Sequence, residues 1–112
     1  MTEQTEPAPE QSKHRTTWMR RYTLDPASAD EFVEFLLTEV FPAREQLGFT
    51  VESVWVDDDR SQLTWFVSRA GDAEEFSAAE QQWENSTLRA EIFAGAPASV
   101  TGKDLRRVTR VR

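Results

Sequence analysis

Two hydrophobic periods alternate along the chain. From Thr16 to Leu24 (TTWMRRYTL) the period is two. Trp18, Arg20, Tyr22 and Leu24 share one face, and Thr17, Met19, Arg21 and Thr23 share the other. This predicts a first strand. Neither face is purely polar, which points to a sheet covered on both sides. The period then becomes helical: Ala29, Phe32, Val33, Leu36, Val40, Ala43 and Leu47 recur on one face, with Asp30, Glu31, Glu34 and Glu45 directed away. Two start signals compete. Asp25-Pro26 offers a cap with proline at the first helical position, and Ser28-Ala29-Asp30-Glu31 reads as a capping box. Pro42 removes a backbone donor and should kink the last turns. Gly48 is the expected stop.

Phe49 to Val56 (FTVESVWV) and Gln62 to Arg69 (QLTWFVSR) read as strands two and three. The polar turn Asp57-Asp58-Asp59-Arg60-Ser61 joins them as an antiparallel hairpin. Asp72, with Glu75 three residues on, opens a second helix whose buried stripe is Ala73, Phe76, Ala79 and Trp83. The stripe breaks at Asn85-Ser86-Thr87. A short helix through Leu88, Ile92 and Phe93 follows, and Gly95-Ala96-Pro97 ends it. Leu105 to Val111 reads as the last strand. The order β-α-β-β-α-β is the split βαβ pattern of a ferredoxin-like α+β domain. It implies a four-stranded antiparallel sheet with two helices on one face. Residues 1–15 (MTEQTEPAPEQSKHR) hold no large apolar side chain after Met1 and are expected to be a disordered tail. The domain then spans residues 16–112.

Composition changes this picture in three ways. A chain of 112 residues fits one domain, and a core of that size buries only about 60–70% of the unfolded surface. A second copy would add burial, so a homodimer through the sheet faces is expected. Met19/Thr23 and Val54/Val56 read as faces too apolar to meet water. The net charge of −7 argues against nonspecific contact with nucleic acid or an anionic membrane. Lys103, Arg106, Arg107, Arg110 and Arg112 nonetheless cluster at the C-terminus against a single acid, Asp104. A solvated edge strand explains them best, with a phosphate or acidic-ligand patch as the alternative.

The chain has no cysteine and one histidine, His14, in the expected tail. No metal site and no cofactor are therefore expected. The three aspartates at the hairpin tip suit a hard cation less well than a solvated turn. No apolar run reaches the ~18–20 residues that span a bilayer, and the acidic N-terminus has no leader-like apolar region. A cytoplasmic location is expected.

Certain details narrow the fold further. Arg20-x-Tyr22-x-Leu24 followed by Asp25-Pro26, a helix ending in FPAREQLGF, then Trp55-Val56-Asp57 and Trp65-Phe66-Val67, resembles the NIPSNAP family over about Thr17 to Phe93. Ala27 departs from the family's usual glycine after that proline. The resemblance implies membership of the dimeric α/β-barrel group, in which two four-stranded sheets pack face to face with the helices outside. It also implies a ligand cavity between each sheet and its own helices. That group includes cofactor-independent monooxygenases acting on aromatic polyketides, cyclases, haem-degrading enzymes and proteins with no assigned reaction, so the fold does not fix the function. Haem chemistry is disfavoured by the lone histidine in a tail.

Such a cavity would draw on strand one, the aromatic residues of strands two and three, and the break in the second helix. Arg20, Tyr22 and Asn85 are the candidate catalytic residues. Arg20 would hold a carboxylate, enolate or phenolate, Tyr22 would donate a hydrogen bond or proton, and Asn85 would orient a carbonyl. Trp18, Trp55, Trp65 and Trp83 are the candidate ligand-binding residues, offering flat apolar surface to an aromatic ligand. Each also has a structural role open to it: core or interface for the tryptophans, packing for Tyr22, an internal ion pair for Arg20 and a helix cap for Asn85. The sequence thus leaves three functions open: a cofactor-independent monooxygenase or cyclase, a non-catalytic binding or accessory protein, and a structural dimer module.

Overall fold

The computed structural model describes residues 14–112. Most of the expected tail, residues 1–13, lies outside the described residues. Arg15 already belongs to the first strand. Strands β1 (Arg15–Leu24), β2 (Phe49–Val56), β3 (Gln62–Ala70) and β4 (Val100–Val108) form one antiparallel sheet in the order β2-β3-β1-β4. This is the ferredoxin-like arrangement. No helix among the described residues is long and apolar enough to cross a membrane.

The first helical region is in four pieces. Asp25 accepts from the Ala27 N–H at 3.0 Å and caps a 3-10 turn, Pro26–Ser28. Ser28 makes no side-chain cap bond, so of the two start signals the Asp25-Pro26 pair prevails. Helix α1 (Ala29–Phe35) runs into a π-helical turn (Leu36–Val40) and then α2 (Phe41–Gln46). The expected kink at Pro42 takes the form of this wide turn just upstream. Proline lacks an N–H and its ring crowds the carbonyl four residues back. Lengthening the turn by one residue, with Phe41 N–H donating to the Leu36 carbonyl, relieves both problems. Gly48 ends the region at φ +92°, beside the Arg69 guanidinium, where a side chain would be strained. Helix α3 (Ala73–Glu84) carries the expected Asp72/Glu75 capping box, and α4 (Thr87–Ala94) follows the expected break.

Two expectations are corrected. β4 occupies Val100–Val108, upstream of Leu105–Val111. Its ladder with β1, from Leu24↔Val100 to Thr17↔Val108, sets the ends, and the polar stretch Thr101–Asp104 joins the sheet despite its composition. The second correction concerns β2. Its ladder with β3 gains one residue between Val51 and Ser53. A one-residue slip reverses the facing of everything beyond it. Val54 and Val56 therefore pair with Trp65 and Leu63 on the helix-covered face, and are not part of an exposed sheet face. Trp55 turns to the opposite, helix-free side and is 65% exposed.

The core lies between the sheet and the helices. Tyr22 and Leu24 of β1, Leu63, Trp65 and Val67 of β3, and Phe32, Leu36, Phe76 and Trp83 of the helices are buried there. The helix-free face carries Met19 of β1, Phe66 of β3 and Val108 of β4, all half-buried.

Candidate functional site

A cavity of about 410 Å3 opens between the helix-covered face and the helices. That volume falls within the ~300–1,000 Å3 of small-molecule sites. β1 contributes Arg20 and Tyr22, β3 Trp65, α3 Trp83, α4 Arg89 and Phe93, and β4 Lys103. Leu36 and Val40 reach it from the π-helical turn, a helical irregularity that often accompanies function.

One carboxylate organises the polar wall. Arg44, 2% exposed, donates from its two terminal nitrogens to both oxygens of Glu80, at 2.9 and 2.8 Å. This is the bidentate, charge-assisted geometry. Arg20 reaches the same carboxylate only at 3.5 Å, while its Nε donates to Tyr22 Oη at 2.9 Å. The Tyr22 oxygen is thus an acceptor toward Arg20, which leaves its own hydrogen for a further acceptor. Aromatic rings surround the cations. Arg20 lies 5.7 Å from the Trp65 ring centre, and Arg44 lies 5.4 Å from both Trp65 and Trp83. Arg89 stacks at 4.3 Å on Phe93 and meets Glu84 at 3.7 Å. Burial is the strongest single influence on Glu80 and pushes its pKa upward. The Arg44 hydrogen bonds and the charges of Arg44, Arg20 and Arg89 together outweigh it and hold the carboxyl below its ordinary value.

Of the residues selected from sequence, Arg20, Tyr22, Trp65 and Trp83 come together at this cavity. Trp18 does not line it. It packs nearly parallel to Phe76, with ring centres 6.3 Å apart, at the edge of the core. Trp55 is on the far side of the sheet, turned there by the β2 bulge. Asn85 is exposed and ends α3, its backbone N–H donating to the Gln81 carbonyl at 3.0 Å. The side chain at that break that makes contacts is Ser86, which accepts from Arg89 N–H and donates to the Trp83 carbonyl. In the hairpin turn Asp59 accepts from the backbone and hydroxyl of Ser61. Among the described residues no three acidic or histidine side chains gather as metal ligands.

Sequence reasoning missed Arg44, Glu80, Arg89 and Lys103. Two of them left a signal. Arg44 stands four residues after Val40, within the apolar stripe of its helix, and Glu80 stands four after Phe76. A charge inside each of two core stripes marks a buried pair.

No family model matches the chain, and no curated protein matches it in sequence. Solved structures do match in fold. A NIPSNAP family protein from Agrobacterium tumefaciens superposes with a TM-score of 0.76 at 11% identity, over 88% of this chain and 94% of its own. A NIPSNAP-like domain protein from Burkholderia xenovorans gives 0.74 at 17% identity, over 88% and 86%. A Bacteroides thetaiotaomicron protein, provisionally assigned as an antibiotic biosynthesis monooxygenase, gives 0.68 at 17% identity, over 90% and 93%. The chain therefore has the ferredoxin-like fold that these proteins share. Within that class its fold is that of the NIPSNAP-like proteins, as the sequence resemblance implied.

Proposed function

We propose that this protein binds a small organic molecule with an aromatic or polyketide-like body between its sheet and its helices. The observation that carries this reading is the cavity itself, floored by the indoles of Trp65 and Trp83 and edged by the joined Arg20–Tyr22 pair. Flat apolar walls with few polar groups at one edge are the composition of small-molecule sites. We place the protein with the NIPSNAP-like proteins, as a cytoplasmic homodimer joined through its helix-free faces. The half-buried Met19, Phe66 and Val108 and the exposed Trp55 support that interface.

The catalytic version is a cofactor-independent monooxygenase or cyclase. In the oxygenase case the substrate is its own reductant. One dioxygen converts an activated methylene to a carbonyl, and its second oxygen leaves as water with the two methylene hydrogens. Arg20 would hold the enolate and Tyr22 would supply a proton to a peroxidic oxygen. The alternative is a non-catalytic accessory protein using the same cavity. Anthrone tests the choice. Its conversion to anthraquinone by the wild type, slowed in Tyr22→Phe, supports turnover. Binding without conversion supports the accessory role.

A further inference from the structure

The unmet demands around the cavity all have one sign. Among the described residues, three buried side-chain nitrogens lack a hydrogen-bond partner: Arg44 Nε, Trp65 Nε1 and Arg89 Nε. All three belong to residues that line the cavity, although the nitrogens themselves are buried, and among the described residues no buried side-chain acceptor is left unmet. The charge runs the same way. Glu80 spends both oxygens on Arg44, so Arg20 has only a long contact with it. Two further carboxylates line the cavity, Asp25, which accepts from the Ala27 N–H, and Glu84, which lies 3.7 Å from Arg89; against these and Glu80 stand the four cations Arg20, Arg44, Arg89 and Lys103. The Arg20 side chain is nevertheless only 12% exposed. Water can accept from an N–H, but it supplies no negative charge. An arginine cannot shed its proton, and the Trp65 ring and the long contact with a Glu80 already committed to Arg44 offset the burial of Arg20 only in part.

We propose that the cavity selects an organic monoanion. A carboxylate sits between the Arg20 guanidinium and the Tyr22 hydroxyl, and an apolar ring system lies against Trp65, Trp83 and Phe93. The proposal rests on the small-molecule reading above and narrows it to acids. Arg20 is the selecting residue because its remaining donors are weakly engaged. Arg44 is not, since its terminal nitrogens are committed to Glu80. Tyr22 complements Arg20 here. It accepts from Arg20 Nε, so its own hydrogen is left to give to a carboxylate oxygen.

Isothermal titration of the full chain with naphthoate and with the matching neutral naphthamide tests this. The two probes share shape and differ in charge. The wild type should bind the acid at least about tenfold more tightly, a difference of ~1.4 kcal/mol. Arg20→Met should bring the two affinities together, and Arg20→Lys, which keeps the charge, should retain part of the preference. Equal affinities in the wild type overturn the anion inference and leave the small-molecule reading standing. Binding of neither probe at millimolar concentration overturns both. A full preference surviving in folded Arg20→Met removes Arg20 as the anchor. If Arg20→Met does not fold, the wild-type comparison and Arg20→Lys decide.

Discussion

On the helix-covered face of the sheet, Tyr22, Leu63 and Trp65 are buried within a single chain, and the polar groups near them include three guanidiniums, those of Arg20, Arg44 and Arg89. On the helix-free face, Met19, Phe66 and Val108 stay half-buried and Trp55 stands 65% exposed. Both faces belong to the same strands. The first is closed by the chain's own helices, which leave a cavity with a surplus of hydrogen-bond donors. The second is mixed, its apolar side chains set among Arg21, Thr64, Asp104 and Arg106, and it has no cover in this chain. The contrast separates two roles. Changes on the covered face should alter folding and ligand binding, and changes on the free face should alter association.

The largest effect is expected from Arg44→Met. Removing one partner of a buried ion pair costs about 3–5 kcal/mol, chiefly because the other charge is left unmatched. Arg20 would soften this by moving toward Glu80, so urea denaturation should show a loss at the low end of that range. Replacing both partners, Arg44→Met with Glu80→Leu, should recover most of the loss. If the double variant is as unstable as the single one, the pair is not the source of the cost.

Next comes association. Phe66→Glu places a carboxylate at the centre of the free face while leaving the covered core untouched. Light scattering should show the wild type as a dimer at micromolar concentration and this variant as a monomer. A wild type that is already monomeric would break the comparison, since the free face would then need no cover.

The pH dependence of stability gives a smaller and more specific effect. The Glu80 carboxyl is held below its ordinary value of 4.5 in the folded protein. A depressed folded value means that the group's contribution is complete above the ordinary value and is lost as pH falls through the folded one. Denaturation midpoints measured from neutral pH downward should decline more steeply below about pH 4.5 in the wild type than in Glu80→Gln, which has no such proton to take up.

The element order was legible because period and punctuation agree along most of the chain. Strands one to three, the Asp72/Glu75 cap and the break near Asn85 are local signals, and local signals survive folding. Three features were not legible for a common reason: each is set by a partner distant in sequence. β4 begins at Val100 because β1 pairs with it, although Thr101–Asp104 reads as a loop. Trp55 faces outward because the ladder with β3 slips by one residue, which strict alternation from Phe49 does not anticipate. Arg44 and Glu80 are 36 positions apart, and although each stands within an apolar stripe, neither identifies its partner until two helices bring them together. Half of the candidate cavity was visible, the half supplied by β1 and by the large aromatics. Its counter-charge was not.

The smallest effect is the sharpest test of how the two faces divide their roles. Trp55→Ser removes the largest side chain on the free face. In an isolated chain that indole is mostly in water, so its loss should change unfolding free energy by no more than ~0.5 kcal/mol, as surface substitutions usually do. Naphthoate affinity should also be unchanged, because the sheet lies between Trp55 and the cavity. Dimer dissociation should respond instead, since an exposed tryptophan at an interface often carries a large share of its energy. Three measurements on one variant therefore locate the residue. Unchanged stability, unchanged ligand binding and a weakened dimer place Trp55 at the interface. A fall in naphthoate affinity with the dimer intact would return it to the ligand site, where its sequence alone had put it.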